Sequence, residues 1–315
     1  MAFVSNEGLG HLVSLPRSTR AALADSFLGA FEGFSQVIET LLRSGSQDQS
    51  LARTLGAEVA SLQLETMSDP IEEVIELATL GCLSGLDHAR ALAVSLKAGG
   101  TAFGIVTLAR GCIEAFARSW WILAPSDPKD LVARALSAQA SELSRRLRLN
   151  PDEQLIGVSD GKTVLARSRH EQLLRDIVLV TSTGKPIAID YTSMASEFGD
   201  VFSDNGRRQY ALLSTVAHGE ALGIADFVGV TTGTRTPHFV VGLPAWLAQV
   251  CAESSFKATS FALGRLTQLT QVVDDESPPP DWMLRHDSAL RVMQEERKAV
   301  ARLVARSRNS YEWSR

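Results

Sequence analysis

The stretch Thr101–Ala124, TAFGIVTLARGCIEAFARSWWILA, decides the fold. Its apolar residues, Phe103, Ile105, Val106, Leu108, Ile113, Phe116 and Ile122, occupy nearly the whole circumference of a helix, which places that helix inside a bundle and not on its surface. Arg110, Glu114 and Arg118 interrupt the run at four-residue spacing, so the segment is too polar to span a bilayer. That spacing sets all three on one face, where Glu114 can meet Arg110 on one side and Arg118 on the other. Such a ladder is either a buried polar network that fixes the register of a bundle or the wall of a pocket.

Helical periodicity continues on both sides. Leu23, Phe27, Phe31, Phe34, Ile38 and Leu41 repeat at threes and fours between Pro16 and Gly45, with Ser18 or Thr19 as the cap, and Gln47 to Glu65 follows in helical style. Asp69-Pro70 supplies an N-cap and an N1 proline to IEEVIELATLGCL, whose Glu72 and Glu73 suit the positive pole of the helix. Ser84 reads as the start of a separate helix, GLDHARALAVSLKA, stopped by Gly99-Gly100; the connection to the Arg110 helix is short, which implies antiparallel neighbours. Asp127-Pro128 opens a further helix that ends on Arg145, Arg146 and Arg148. The polar run NPDEQLIGVSDGK at 150–162 reads as a surface loop. We read one helical domain over 1–315; the alternative division is into halves 1–149 and 163–315 joined by that loop. Helices are predicted again over 164–181, 191–198 and 204–223, then from Pro244 to the acidic, proline-rich DDESPPPD, and finally from Trp282 to about Ser307. Two β-prone runs around Thr232-Gly233-Thr234 predict a small hairpin over 227–241, with a loop as the alternative. The fold class is all-α, a multi-helix bundle.

The 315 residues are 45% hydrophobic, enough for a sizeable core. A net charge of −5 offers no global attraction to nucleic acid, so any RNA contact must come from a local patch. Cys82, Cys112 and Cys251 form no CxxC and read as reduced core residues. The first residues carry no basic region ahead of an apolar segment, so no signal peptide and no membrane partner are expected, and the protein is placed in the cytoplasm. No HxH, HExxH, ExxH or GxSxG occurs, which disfavours metal bundles, zinc hydrolases and serine hydrolases; no metal and no cofactor are expected. Gly157–Thr163, GVSDGKT, falls one residue short of the spacing of a phosphate-binding P-loop and reads as a turn.

Three polar groups remain. Asp87 and His88 are adjacent on a helix and so cannot face each other. Arg110, Glu114 and Arg118 form the ladder, for which fixing bundle register weighs more than catalysis. Tyr210, Ser214 and His218 stand one turn apart on a face of their own helix; a lone histidine there is usually a core residue, and its company raises the functional reading to parity.

LDHARAL, TLARGCIEAFARSWWIL and YALLSTVAHGEAL resemble the recurring D-H-x-x-A-L, R-x-x-x-E-A and Y-x-x-L-S-x-x-x-H-G patterns of a group of bacterial all-helical proteins of uncharacterised function. That group is distantly similar to HEPN domains, the antiparallel helical bundles of RNA-cleaving toxins and of phage-defence nucleases. The resemblance covers residues 70 to 225 and implies an HEPN-like bundle that pairs as a homodimer. It transfers no catalytic residue: HEPN ribonucleases carry R-x(4 to 6)-H on one helix, whereas Arg208 lies ten positions before His218. Arg110 could replace that arginine from a neighbouring helix.

Three readings follow, of which the non-catalytic ones rank ahead. In one, the groups bind a small anionic ligand or nucleotide, or a partner. In another, an HEPN-like metal-independent ribonuclease or phage-defence effector uses His218 as general acid or base and Arg110 against the phosphate, with Tyr210 or Ser214 positioning RNA. In the third, the bundle is purely structural. Asp87, His88, Glu114, Arg118 and Ser214 are the candidate ligand contacts, and His218, Arg110 and Tyr210 the candidate catalytic residues.

Overall fold

A computed structural model describes residues 15–48, 50–156, 163–225, 227–231, 238–271 and 281–312. Its helices are α1 (Arg17–Ser44), α2 (Leu51–Val59), α3 (Pro70–Ala98), α4 (Ala102–Leu123), α5 (Pro128–Leu149), α6 (Ala166–Val180), α7 (Tyr191–Phe202), α8 (Gly206–Ala217), α9 (Ala221–Ala225), α10 (Ala245–Thr270) and α11 (Asp281–Glu312). The protein is an all-α bundle with small hairpins. The readings of residues 1–14, of Gly157–Lys162, of the turn at Thr232–Thr234 and of the stretch 274–280 lie outside the described residues.

Capping chemistry sets several boundaries. Asp69 accepts the Glu72 N–H at 3.4 Å, Asp127 the Lys129 N–H at 2.7 Å and Asp190 the Thr192 N–H at 2.9 Å, each at a helix start. Ser18 and Thr19 do not cap α1; they lie inside its first turn, behind Pro16. Gly99, at φ 74°, closes α3 in the left-handed conformation.

The expected break at Ser84 does not exist. Helix α3 runs unbroken for 29 residues, and Gly81 and Gly85, on either side of Ser84, serve close packing. A Cβ on Gly81 would fall 2.3 Å from Ser119 Oγ, and one on Gly85 would fall 2.5 Å from the Phe116 ring. His88 meets Gly111 further along, so the paired positions run in opposite directions and α3 lies antiparallel to α4. Helix α10 runs parallel to α4: the Cys112 thiol approaches Ser255 O, and Arg265 donates to Leu123 O at 2.8 Å. With α5, α7 and α8 also against it, α4 is the central helix, and Ile105, Ile113, Phe116 and Ile122 are at most 2% exposed. Phe27, Phe31 and Phe34 of α1 extend the core to Phe256 of α10, whose ring stacks on Phe27 at 5.2 Å.

Strand pairing replaces part of the expected loop and the start of the helix expected from 164. Gln154–Ile156 (β1) pairs antiparallel with Thr163–Leu165 (β2), and α6 begins only at Ala166. These three-residue strands show no buried alternation and left no period-2 signal to read. The hairpin expected over 227–241 is present as β3 (Val228–Thr231) and β4 (His238–Val241). Side chains before and after 150–165 share one core.

Asp176 of α6 is fully buried. Its carboxylate accepts the N–H groups of Glu65 and Thr66, both at 2.8 Å, and the Thr66 hydroxyl, which ties the turn before α3 to α6. Arg169 donates to Thr66 O at 2.9 Å from the same helix. Among the described residues, no helix is long and apolar enough to cross a membrane.

Candidate functional site

Helices α4 and α8 pack antiparallel, and their polar residues meet at that seam. Arg110 Nε donates to Glu114 Oε1 at 2.7 Å, the i,i+4 contact the spacing predicts. Tyr210 reaches across from α8 and donates its hydroxyl to the same oxygen at 2.8 Å. One turn back along α4 and two turns on along α8, Arg110 Nη1 stands 3.0 Å from His218 Nε2. A guanidinium only donates, so Nε2 accepts and the imidazole proton sits on Nδ1 in this arrangement. The result is a continuous chain from Tyr210 through Glu114 and Arg110 to His218.

The helix bearing Tyr210 is held in place by contact of backbones. A Cβ on Gly206 would fall 1.9 Å from Gly199 O, so α7 and α8 touch where only glycine fits. The sequence reading ran this helix from Asp204 through Gly223, but it ends at Ala217. His218 is its C-cap, and Gly219 at φ 73° turns the chain away toward α9. His218 is therefore an exposed residue at a helix end, not a core histidine.

Access is graded along the chain of groups. Tyr210 is 2% exposed, while the side chains of Arg110 and Glu114 are 19% and 36% exposed. Burial, then the hydrogen bond and charge of Glu114, push the Tyr210 phenol up to about 12, which keeps it a neutral donor at physiological pH. Burial opposes the charge of Arg110, but the hydrogen bond and charge of Glu114, and then Tyr210, outweigh it and hold the guanidinium above its ordinary value.

The other candidate residues lie apart from this chain of bonds. Arg118 turns to Glu142 of α5 at 2.7 Å and not to Glu114, so the expected three-membered ladder is two separate ion pairs. Asp87 is exposed on α3, and His88 packs its ring over Gly111, 3.1 Å from where a Cβ would stand. Ser214 is half-buried between Tyr210 and His218, and its carbonyl accepts the His218 N–H at 2.9 Å. Among the described residues, no group of three histidine, cysteine or acidic side chains is disposed to hold a metal. All three cysteines are buried and unbridged, and burial pushes each thiol up to about 12, far from a nucleophilic thiolate.

Two clefts lie elsewhere. One of 530 Å³ is lined by Asp200, Gln209, Trp246, Glu253, Lys257 and Arg297 among others, and one of 340 Å³ lies at the N-terminus of α4. The Arg110 cluster lines neither.

The sequence reading missed Asp176 and Glu142. Asp176 did leave a signal, since Leu173, Ile177 and Val180 put it on the apolar face of α6 at helical spacing. Glu142 left none, because its partner belongs to another element. No family model matches the chain, and no curated protein and no solved structure matches it either.

Proposed function

We propose that the Arg110–His218 pair binds the phosphate of a small anionic ligand, with nucleotides as the ligand class. The observation that carries this is the 3.0 Å approach of Arg110 Nη1 to His218 Nε2 at an exposed helix end. Glu114 holds the guanidinium by its Nε edge, which leaves Nη donors oriented before a ligand arrives. Tyr210 fixes Glu114 in turn. The site grips one group and not a whole molecule, because His218 stands at the surface and the rest of a ligand would extend into solvent.

The same pair favours a second reading, a metal-independent ribonuclease of HEPN-like type and, with it, a phage-defence role. An arginine and a histidine brought together from α4 and α8 would stand in for the single-helix R-x(4 to 6)-H arrangement. His218, freed at Nε2 as Arg110 turns to the phosphate, would take the proton of the RNA 2′-hydroxyl as that oxygen attacks phosphorus, Arg110 would stabilise the extra negative charge, and the departing 5′-oxygen would take a proton from water. Tyr210 is disfavoured as a nucleophile in both readings, since it is buried and its phenol is held neutral.

Titration calorimetry with AMP, ATP and inorganic phosphate, and incubation with single-stranded RNA in chelator, test both readings on the parent, Arg110→Gln and His218→Ala. Binding by the parent that weakens about tenfold or more in each folded variant is the expected result, from the loss of a charge-assisted hydrogen bond. Cleavage by the parent and not by His218→Ala would select the ribonuclease. Neither binding nor cleavage would leave the cluster as a packing device of the α4–α8 seam.

A further inference from the structure

The 340 Å³ cleft is built from the N-terminus of α4, the Gly99–Gly100 turn, Arg20 of α1 and an apolar wall that includes Leu96, Ile105 and Leu243. Among the described residues, Arg20 is its only charged one. The Arg20 Nε is sealed from solvent and makes no hydrogen bond, and the guanidinium has no ion-pair partner among the described residues. Lys97, near the end of α3, is by contrast paired with Asp25 at 2.6 Å. Close packing and not a counter-ion positions Arg20, for a Cβ on Gly99 would fall 2.2 Å from its Nη1. The guanidinium of Arg20 thus lines the cleft without an acceptor, and an anion entering the cleft would supply one.

The start of α4 adds a second attraction. Thr101 is the N-cap of the 22-residue α4 but makes no side-chain cap, and the first turn holds no acidic residue. The free N–H groups and the positive pole of that helix border the cleft at Thr101 and Ala102. One guanidinium matches one negative charge, which fits a monoanion better than a polyphosphate. Leu243, half-buried beside the buried Leu96 and Ile105, offers apolar surface that a bare ion would not cover, which favours a ligand with a hydrocarbon part. The volume is near the low end of ligand pockets, about 300 to 1,000 Å³.

We propose that this cleft binds a small amphipathic carboxylate, its head between Arg20 and the start of α4 and its chain along Leu96, Ile105 and Leu243. The site is separate from the Arg110 cluster by nine residues of α4, about 14 Å of helix rise.

Titration calorimetry of the full chain with octanoate tests this, with octan-1-ol and inorganic phosphate as arms that each lack one half of the ligand. Octanoate should bind, both arms should bind at least about tenfold more weakly, and Arg20→Gln should weaken octanoate by about tenfold or more. In Thr101→Asp, a change at an exposed position, the new carboxylate takes the head-group position: the melting temperature should rise and octanoate binding should vanish. That variant decides the matter should Arg20→Gln fail to fold. His218→Ala should bind octanoate like the parent, which separates this site from the phosphate site. No octanoate binding by the parent, equal binding of octan-1-ol, or unchanged binding in Thr101→Asp would overturn the proposal.

Discussion

Asp176 shows what a single buried charge does in this protein. Its two oxygens satisfy two backbone N–H groups and a hydroxyl in the turn before α3, so the residue replaces water for a segment that could not otherwise be covered. Asp176→Ala should lower unfolding free energy by about 3 kcal/mol, because it leaves those donors buried without an acceptor. Asp176→Asn should not rescue it, since an amide brings a donor to a place where both oxygens accept. Thr66→Val should cost only about 1 kcal/mol, as the backbone bonds survive. Urea denaturation measures all three, and a loss of less than about 0.5 kcal/mol in Asp176→Ala would mean that water replaces the carboxylate. At this scale the sequence was legible where partners share a helix and silent where they do not. Arg110 and Glu114 could be paired from spacing alone, whereas the Arg118–Glu142 and Tyr210–Glu114 contacts depend on how α4 meets α5 and α8.

Among the elements, glycine carries opposite meanings in α1 and α3, and geometry separates them. Gly29 has nothing within 4 Å of an added Cβ, so Gly29→Ala should stabilise α1 by about 0.5 to 1 kcal/mol through helix propensity. Gly85 faces Phe116 at 2.5 Å, and Gly85→Ala must displace a fully buried ring between α3 and α4. Overpacking of this kind costs about 1 to 3 kcal/mol and should exceed the propensity gain, so the variant should be destabilised overall. Thermal melts of the two variants should move in opposite directions, and a stabilised Gly85→Ala would show that α3 and α4 can part without penalty. Composition reports that a side chain is missing at such positions but not what fills the space. The Asp-Pro starts of α3 and α5 were legible because a cap acts locally. The 154–165 hairpin was not, because its strands take their order from pairing and not from a hydrophobic face.

For the molecule as a whole, the buried groups that must stay protonated set an alkaline limit on stability. Cys82, Cys112 and Cys251 are raised from 9.0 to about 12 by burial, and Tyr210 from 10.0 to about 12 by burial and then Glu114. Each folded-state value lies above the unfolded one, so between them the native chain holds protons that the unfolded chain has released. Their contribution is complete below about pH 9 for the thiols and pH 10 for the phenol, and is lost as pH rises toward 12. The fall should approach about 1.4 kcal/mol per pH unit for each group within its window, so four groups together would dominate the alkaline limb. These residues lie on α3, α4, α8 and α10, the helices that surround the centre of the bundle, which makes the titration a probe of the packed core and not of one site. Denaturant unfolding from about pH 7 to 11 should show a stability plateau that breaks near pH 9 and steepens above pH 10. The Cys82→Ala/Cys112→Ala/Cys251→Ala variant isolates the thiols from the surface ion pairs that also weaken in alkali. It should begin less stable, from the lost packing of three buried side chains, but its decline should start about one pH unit later and be shallower. A parent whose stability is level through pH 10.5, or a variant that falls in parallel with it, would show that the thiols meet water in the native state and that the core around α4 is more open than its packing implies.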